Sequence, residues 1–138
     1  ESFRRLGAIC ARLHNHARSW RRPAGFTRLA WDCDQLIGPH GRAGPWRDAL
    51  GMGREEIALL TRLEQTIRER LAAYGQGSSR YGLTHADLRI ANLILAGDRM
   101  KVIDFDDCGD SWYMGDWATA VSLIEDHPQV PAMQDAWV

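Results

Sequence analysis

Residues 85–92 read HADLRIAN and residues 102–106 read VIDFD, and the predicted fold rests mainly on these two stretches. Together they give the pattern H-x-D-x-x-x-x-N followed by I-D-F. In this pattern Asp87 can accept or orient the proton of a substrate hydroxyl, whereas Asn92 and Asp104 offer hard oxygen ligands to Mg²⁺. That is the minimum set for phosphoryl transfer from ATP. Each piece alone occurs by chance, so the order and spacing of the whole set carry the prediction.

Residues 81–124 resemble the aminoglycoside phosphotransferase-like family of small-molecule kinases, which includes homoserine and choline kinases and shares the protein-kinase-like fold. Residues 6–14, LGAICARLH, are similar to a helix that precedes the motif in that family. The resemblance implies that Asp87 is the catalytic base and that Asn92 and Asp104 bind the metal. It also implies that His85 is a structural support that holds the catalytic loop against the segment around Asp104.

Two positions depart from the family pattern. Position 86 is Ala where family members commonly have Gly, although a small residue is kept. Arg89 stands two residues after the expected base, where protein kinases carry a Lys that touches the transferred phosphate. Arg89 can do the same as a bidentate donor to phosphate oxygens. The alternative is a solvated arginine at the rim of the loop, and the sequence leaves both interpretations open.

A dense group of carboxylates follows the second apolar stretch: Asp104, Asp106, Asp107 and Asp110. Carboxylates this close repel one another unless a cation lies among them. Strand alternation would place Asp106 on the same side as Asp104, so we predict that Asp106 also contacts metal, directly or through water. Asp107 and Asp110 are interpreted as a solvated acidic turn.

Other candidate residues have a structural alternative. By resemblance, Asp116 matches an Asp that hydrogen-bonds the backbone of the catalytic loop, whereas the simpler interpretation is a helix N-cap or first-turn Asp. By the same resemblance, Ile94 and Ile103 occupy positions whose side chains form the floor beneath adenine in the kinase fold; they can also be ordinary strand core, and the two roles are compatible. The pair His14 and His16 does not by itself predict a zinc site.

Composition narrows the class of protein. The 138 residues include 17 basic and 18 acidic side chains, a formal charge of −1, which gives no electrostatic reason to expect nucleic acid as a partner. No apolar run is long enough for a membrane helix, and the first residues do not have the pattern expected of a signal peptide. The three cysteines lack CxxC spacing, so we expect reduced thiols and a cytoplasmic location.

The periodicities predict an α+β fold. Apolar residues at three- and four-residue steps predict helices over 3–17, 55–74 and 112–124. Residues 93–95 and 100–103 predict a β-hairpin with a four-residue turn at 96–99. Residues 20–53 show no persistent period and are expected to form an irregular insertion, with a short helix after Pro45.

The expected architecture is the mostly helical C-terminal lobe of a protein-kinase-like fold, with the short hairpin carrying the catalytic and metal-binding loops. The chain starts at Glu1, and GMG at residues 51–53 is not followed by the strand that a phosphate-covering loop requires. Residues 1–138 are therefore expected to be one lobe of a larger kinase, nearly inactive without its N-terminal nucleotide lobe.

The predicted function is ATP- and Mg²⁺-dependent transfer of the γ-phosphate to a hydroxyl of a small molecule. The alternative from another class is a kinase-like module that binds nucleotide or a partner without turnover. Hydrolysis of phosphate esters by the acidic cluster would need more His or Asp ligands than residues 85–110 contain.

Overall fold

Five α-helices and four short strands build the chain, and the computed structural model describes all of residues 1–138. The helices are α1 (Ser2–Ser19), α2 (Cys33–Ile37), α3 (Arg54–Tyr74), α4 (Met114–Ala120) and α5 (Val130–Trp137). The strands are β1 (Tyr81–Thr84), β2 (Leu93–Ala96), β3 (Arg99–Val102) and β4 (Gly109–Trp112), and short 3-10 helices lie at Trp46–Asp48 and Ile90–Asn92. This mostly helical α+β arrangement confirms the predicted fold class.

The strands form two separate antiparallel pairs, and the motif loop 85–92 runs from one pair to the other. Strand β1 pairs with β4, with Thr84 opposite Gly109, and β2 pairs with β3, with Leu93 opposite Val102. Ala96 faces Arg99 across the hairpin, so the connection has two residues instead of the predicted four. Residues 85–92 therefore run from the end of β1 to the start of β2, and Asp104 follows the end of β3.

The core lies where α1 crosses beneath this loop. Leu6, Cys10, Leu88 and Ala120 are buried together, and the partly buried side chains packed on them are Phe3, Leu93, Met100, Val102 and Trp137. Leu6 and Cys10 belong to the apolar stripe of α1, whereas Leu88 comes from the motif loop itself and is 0% exposed. Truncating such a buried leucine typically costs about 2–5 kcal/mol. The loop is thus anchored in the core by its own side chain.

The helix predictions succeed at the start of the chain and fail near its end. Helices α1 and α3 match the predicted helices within two residues, and α3 ends where Gly75 takes a positive φ of 78°. The helix predicted over 112–124 is wrong at both ends, because Trp112 belongs to β4 and α4 stops at Ala120. Helix α5 was not predicted, because Pro131 was interpreted as a helix breaker. Pro131 lies in the first turn of α5, where proline is tolerated.

The segment 20–53 is irregular as expected, apart from α2 and the 3-10 helix that follows Pro45. Helix α2 begins after Asp32, whose carboxylate accepts hydrogen bonds from the amides of Asp34 and Gln35, both at 3.0 Å. The indole N–H of Trp46 donates to Glu64 of α3 at 3.1 Å. The insertion is therefore held to the rest of the chain by specific hydrogen bonds.

Much apolar surface stays open. The chain exposes 9476 Å², whereas a self-contained domain of 15.6 kDa exposes about 7,200 Å² by the area–mass relation. No residue of α3 is buried, and Leu59 and Leu63 are 57% and 49% exposed. None of the helices is both long enough and apolar enough to cross a lipid bilayer.

Candidate active site

His85 ties the loop 85–92 to the end of β3. Its imidazole is buried, and Nε2 lies 3.0 Å from the carbonyl oxygen of Ile103. Because Nδ1 accepts the backbone N–H of Asp87 at 3.3 Å, the proton belongs on Nε2, which donates to Ile103. The ring also packs on Phe105, with centroids 4.5 Å apart. The geometry is that of the structural support which the family resemblance implied.

Asp116 binds the loop backbone and does not cap its own helix. Its carboxylate is completely buried, with Oδ1 accepting the N–H of Ala86 at 2.8 Å and Oδ2 accepting that of His85 at 3.3 Å. Helix α4 has Tyr113 at its N-cap position and no side-chain capping bond. Asp116 lies in the first turn of α4, as one form of the simpler interpretation has it, but it is not the N-cap. Its contacts are with the loop backbone, as the resemblance implies.

The sequence did not reveal three neighbours of Asp116. Thr119, one turn further along α4, accepts the N–H of Leu88 at 3.0 Å. His14 on α1 places Nε2 2.7 Å from Asp116, and the Sγ of Cys10 lies 3.6 Å from the same carboxylate. Burial raises the pKa of the Cys10 thiol, which therefore stays protonated as a donor. The sequence did contain a signal, since a spacing of four residues places Cys10 and His14 on the same face of α1.

These contacts hold a strained backbone. Ala86 has a φ of 67°, in the left-handed region that disfavours residues with a Cβ. A residue in that conformation persists only where its surroundings impose it, and here Asp116 holds its N–H. The preference of the family for Gly at this position, noted above, thus has a direct conformational cause.

Asp87 and Asn92 are joined in one hydrogen-bonded group with Arg89. The guanidinium of Arg89 donates to the two carboxylate oxygens of Asp87 through Nε and Nη2, at 2.7 and 2.9 Å. The amide nitrogen of Asn92 donates to the same carboxylate at 2.9 Å and to the Asp87 carbonyl at 2.8 Å. Arg89, followed by Asn92, holds the pKa of Asp87 below its usual range. Asp87 is therefore ionised at neutral pH and oriented by both partners.

Asp104 lies beside this group in an unusual conformation. The N–H of Ile103 donates to the carbonyl oxygen of Asn92 at 3.0 Å, which places Asp104 next to the 3-10 turn. Asp104 has a φ of 69° and is exposed. The Asp106 carboxyl beside it, with a smaller contribution from Asp87, raises the pKa of Asp104. Carboxylates crowded in this way are stabilised by a cation between them.

The donor atoms fit a hard divalent cation. The amide nitrogen of Asn92 is occupied by Asp87, while its amide oxygen accepts no hydrogen bond and is free to act as a ligand. With the carboxylates of Asp104 and Asp106, that oxygen makes a set of hard oxygen ligands of the kind Mg²⁺ prefers. The predicted metal roles of these residues therefore suit the geometry, and they remain predictions.

Ile94 and Ile103 do not belong to the core. They are 47% and 41% exposed, whereas Leu93 and Val102, on the opposite face of the hairpin, pack on the core. The interpretation of both isoleucines as ordinary strand core is thus wrong. They instead present an open apolar surface beside the candidate metal ligands, as a floor beneath adenine would require.

The interpretation of the last two carboxylates as a solvated turn is only half right. Asp110 lies in β4 and forms a bidentate ion pair with Arg22, at 2.5 and 2.8 Å. Asp107 keeps 40% of its side chain exposed, with Arg42 at 3.9 Å. Asp110 therefore has a structural ion pair, and only Asp107 has the solvated character that was expected of both.

Comparison with known proteins agrees with this geometry. The profile of a family described as "Phosphotransferase enzyme family" matches residues 1–138. An amicoumacin kinase from Bacillus subtilis (strain 168) is 24% identical over 131 residues, which cover 94% of this chain and 36% of that protein.

Two solved structures have the same fold. A microcompartment-associated aminopropanol kinase matches with a TM-score of 0.91 and 49% identity, over 99% of this chain and 43% of that one. The amicoumacin kinase hAmiN, in complex with AMP-PNP, Ca²⁺ and Ami, matches with a TM-score of 0.72 and 19% identity, over 98% of this chain and 40% of that one. The chain thus spans less than half the length of these relatives. The predicted resemblance is confirmed, and the chain belongs to the phosphotransferase enzyme family of small-molecule kinases.

Proposed function

We propose that the protein containing this chain is an ATP- and Mg²⁺-dependent kinase that phosphorylates a hydroxyl group of a small molecule. The observation that carries the proposal is the convergence of Asp87, Asn92 and Asp104. Two hydrogen bonds join Asn92 to Asp87, and another joins the backbone of Asn92 to the residue before Asp104. Oxygen atoms suited to a metal therefore lie beside a carboxylate suited to an alcohol.

Asp87 is better suited to orient the acceptor than to act as a strong base. Its lowered pKa keeps it ionised, so it can accept a hydrogen bond from the acceptor hydroxyl throughout the neutral range. Phosphoryl transfer through a loose transition state needs little base strength and depends mainly on positioning. Asn92 holds the Asp87 carboxylate in place, since it contacts both the side chain and the carbonyl of that residue.

Arg89 has a second task available. It is 44% exposed and binds Asp87 through Nε and Nη2, so Nη1 can donate to a phosphate oxygen while the other two nitrogens keep Asp87 oriented. Asn92 and Asp104, with Asp106 beside them, would hold the metal ion. When bound, ATP would supply the phosphoryl group, and Mg²⁺ would offset the negative charge of its phosphates.

We further propose an amino alcohol as the acceptor. The support is the similarity to the aminopropanol kinase, which is 49% identical over nearly the whole chain.

The open face formed by Ile94 and Ile103 would receive the base of the nucleotide, whose other contacts would come from a nucleotide lobe outside residues 1–138. This chain alone is accordingly expected to show almost no turnover.

The test is turnover of ATP by the full-length enzyme on a panel of short amino alcohols. Asp87→Asn is expected to lower kcat by about 10²–10⁴-fold with little change in the KM for ATP. Asp98→Asn is the matched control, because Asp98 lies in the hairpin turn and its carboxylate makes no hydrogen bond. Undiminished kcat in Asp87→Asn would overturn the proposal, and nucleotide binding without turnover on any acceptor would favour the binding module instead.

A further inference from the structure

The segment that follows Asp104 is held in place from outside by the insertion. Arg28 donates one guanidinium arm to the carbonyl oxygen of Phe105 at 3.0 Å and the other to that of Asp106 at 3.1 Å. These carbonyls belong to the two peptide groups on either side of the Asp106 Cα. Fixing both peptide planes restricts the two backbone dihedrals of Asp106, and thereby the direction of its carboxylate.

Further contacts keep the insertion in register with this segment. The indole N–H of Trp31 donates to the carbonyl of Asp107 at 2.8 Å. Asp110 exchanges backbone hydrogen bonds with the insertion, donating to Leu29 at 2.8 Å and accepting from Trp31 at 2.7 Å. At Gly109 a Cβ would lie 2.5 Å from the Leu29 carbonyl oxygen, so the two stretches touch along their backbones. These contacts therefore fix the backbone near Arg28 relative to the segment that follows Asp104.

Residues 104–107 have little internal support. Apart from its bonds with the insertion, this stretch makes only two hydrogen bonds: the amide of Cys108 donates to the carbonyl of Phe105 at 3.2 Å, and the amide of Asp107 donates to the carboxylate of Asp106 at 3.1 Å. The carboxylates of Asp104 and Asp106 also repel each other. Without an external restraint this stretch would relax by turning the two carboxylates apart, and a pair of metal ligands would be lost.

We propose that Arg28 is a positioning residue that presets Asp106, and through it Asp104, for metal binding. This inference rests on the metal site of the proposed function. The proposal also predicts the direction in which Mg²⁺ affinity changes when Arg28 is replaced, because the positive guanidinium by itself repels a bound cation. As a charge alone, Arg28 would weaken Mg²⁺ binding, whereas as a restraint on ligand geometry it strengthens binding.

The experiment uses the full-length enzyme with Arg28→Gln and Arg28→Lys. The control is Arg21→Gln, since Arg21 is an exposed arginine of the same insertion that makes no hydrogen bond or ion pair. Calorimetric titration of Mg²⁺ in the presence of a non-hydrolysable ATP analogue is expected to show about 10-fold weaker binding for Arg28→Gln, as is typical when a group that orients metal ligands is lost. Arg28→Lys should lose less, because an ammonium reaches one carbonyl at a time.

A second measurement needs neither metal nor turnover. Amide hydrogen exchange over residues 105–108 should become faster in Arg28→Gln than in wild type or Arg21→Gln. Tighter or unchanged Mg²⁺ binding in Arg28→Gln, with unchanged exchange, would overturn the proposal and leave only a charge effect.

A third variant, Asp104→Asn, distinguishes failure of this proposal from failure of the proposed function. If Asp104→Asn leaves Mg²⁺ binding intact, the metal site itself is wrong. If Asp104→Asn abolishes binding while both Arg28 variants bind as wild type does, the metal site stands and the role of Arg28 is refuted. Because Arg28 is exposed, its variants are expected to fold, and unchanged thermal unfolding checks this.

Discussion

Replacing Asp116 by Asn is expected to destabilise the protein by about 2–4 kcal/mol, although the side chain barely changes shape. The two carboxylate oxygens accept backbone N–H groups from Ala86 and His85 on opposite sides. An Asn side chain has one oxygen and one NH₂ group. Whichever way the amide turns, its NH₂ group faces a backbone N–H that no longer has an acceptor.

The magnitude follows from these two bonds, because the imidazole of His14, with Nε2 2.7 Å from Oδ2, can donate to an amide oxygen or accept from an amide NH₂ there. A buried donor left without a partner costs about 1–3 kcal/mol. The bond that survives loses its charge assistance, roughly half of its strength, or about 1 kcal/mol more. Both changes fall on the strained loop next to Ala86, whose φ of 67° needs the support of Asp116. The substitution should therefore loosen the catalytic loop locally and also lower the free energy of unfolding of the whole protein.

The assay is urea unfolding of the full-length enzyme, read from the midpoint at unchanged slope, together with amide exchange of residues 85–88. Asp126→Asn is the control, because Asp126 is exposed in the turn after α4 and should change stability by less than about 0.5 kcal/mol. A loss below about 1 kcal/mol for Asp116→Asn, with the loop amides still protected, would refute the reasoning.

Three further outcomes follow from the same loop. Ala86→Gly should raise the unfolding free energy by up to about 1 kcal/mol, because Gly adopts a positive φ without strain; a loss of stability would contradict this. Arg89→Met should raise the pKa of Asp87 back towards its usual value, so the acidic limb of the pH profile of kcat/KM should move to higher pH. An unmoved limb would argue against the ion pair of Arg89 with Asp87. Asp106→Asn should raise the metal-free Tm at pH 7 but not at pH 3, because repulsion raises the pKa of Asp104 and this repulsion acts only once both groups are ionised. Equal melting of the variant and wild type at pH 7 would be evidence against that repulsion.

Local patterns predicted much of the fold. The apolar stripe of α1 and the long helix α3 are readable because each repeats within its own sequence over several turns. The hairpin is readable because its strands are adjacent in the chain and its turn contains Gly97. The candidate ligands Asp87, Asn92 and Asp104 follow from motif spacing, and the loop and hairpin bring them together.

Non-local pairing accounts for what the sequence did not reveal. Strand β4 is short and contains Asp110, and it exists because β1 and the insertion pair with it. The ion pair of Asp110 with Arg22 joins residues 88 apart, and the bond of Asp116 with His14 joins residues 102 apart. No periodicity within a segment encodes such partners. Asp110 therefore looked like a turn residue, and His14 looked like part of a solitary H-x-H pair.

The most direct test of the central claim is the affinity of the full-length enzyme for an ATP analogue, measured with and without Mg²⁺. For wild type and Asp87→Asn we expect Mg²⁺ to tighten binding by about 10-fold or more, whereas for Asp104→Asn this tightening should disappear. A tightening by Mg²⁺ that persists in Asp104→Asn would show that the divalent ion is held elsewhere, and would contradict the assignment of this loop as the phosphotransfer site.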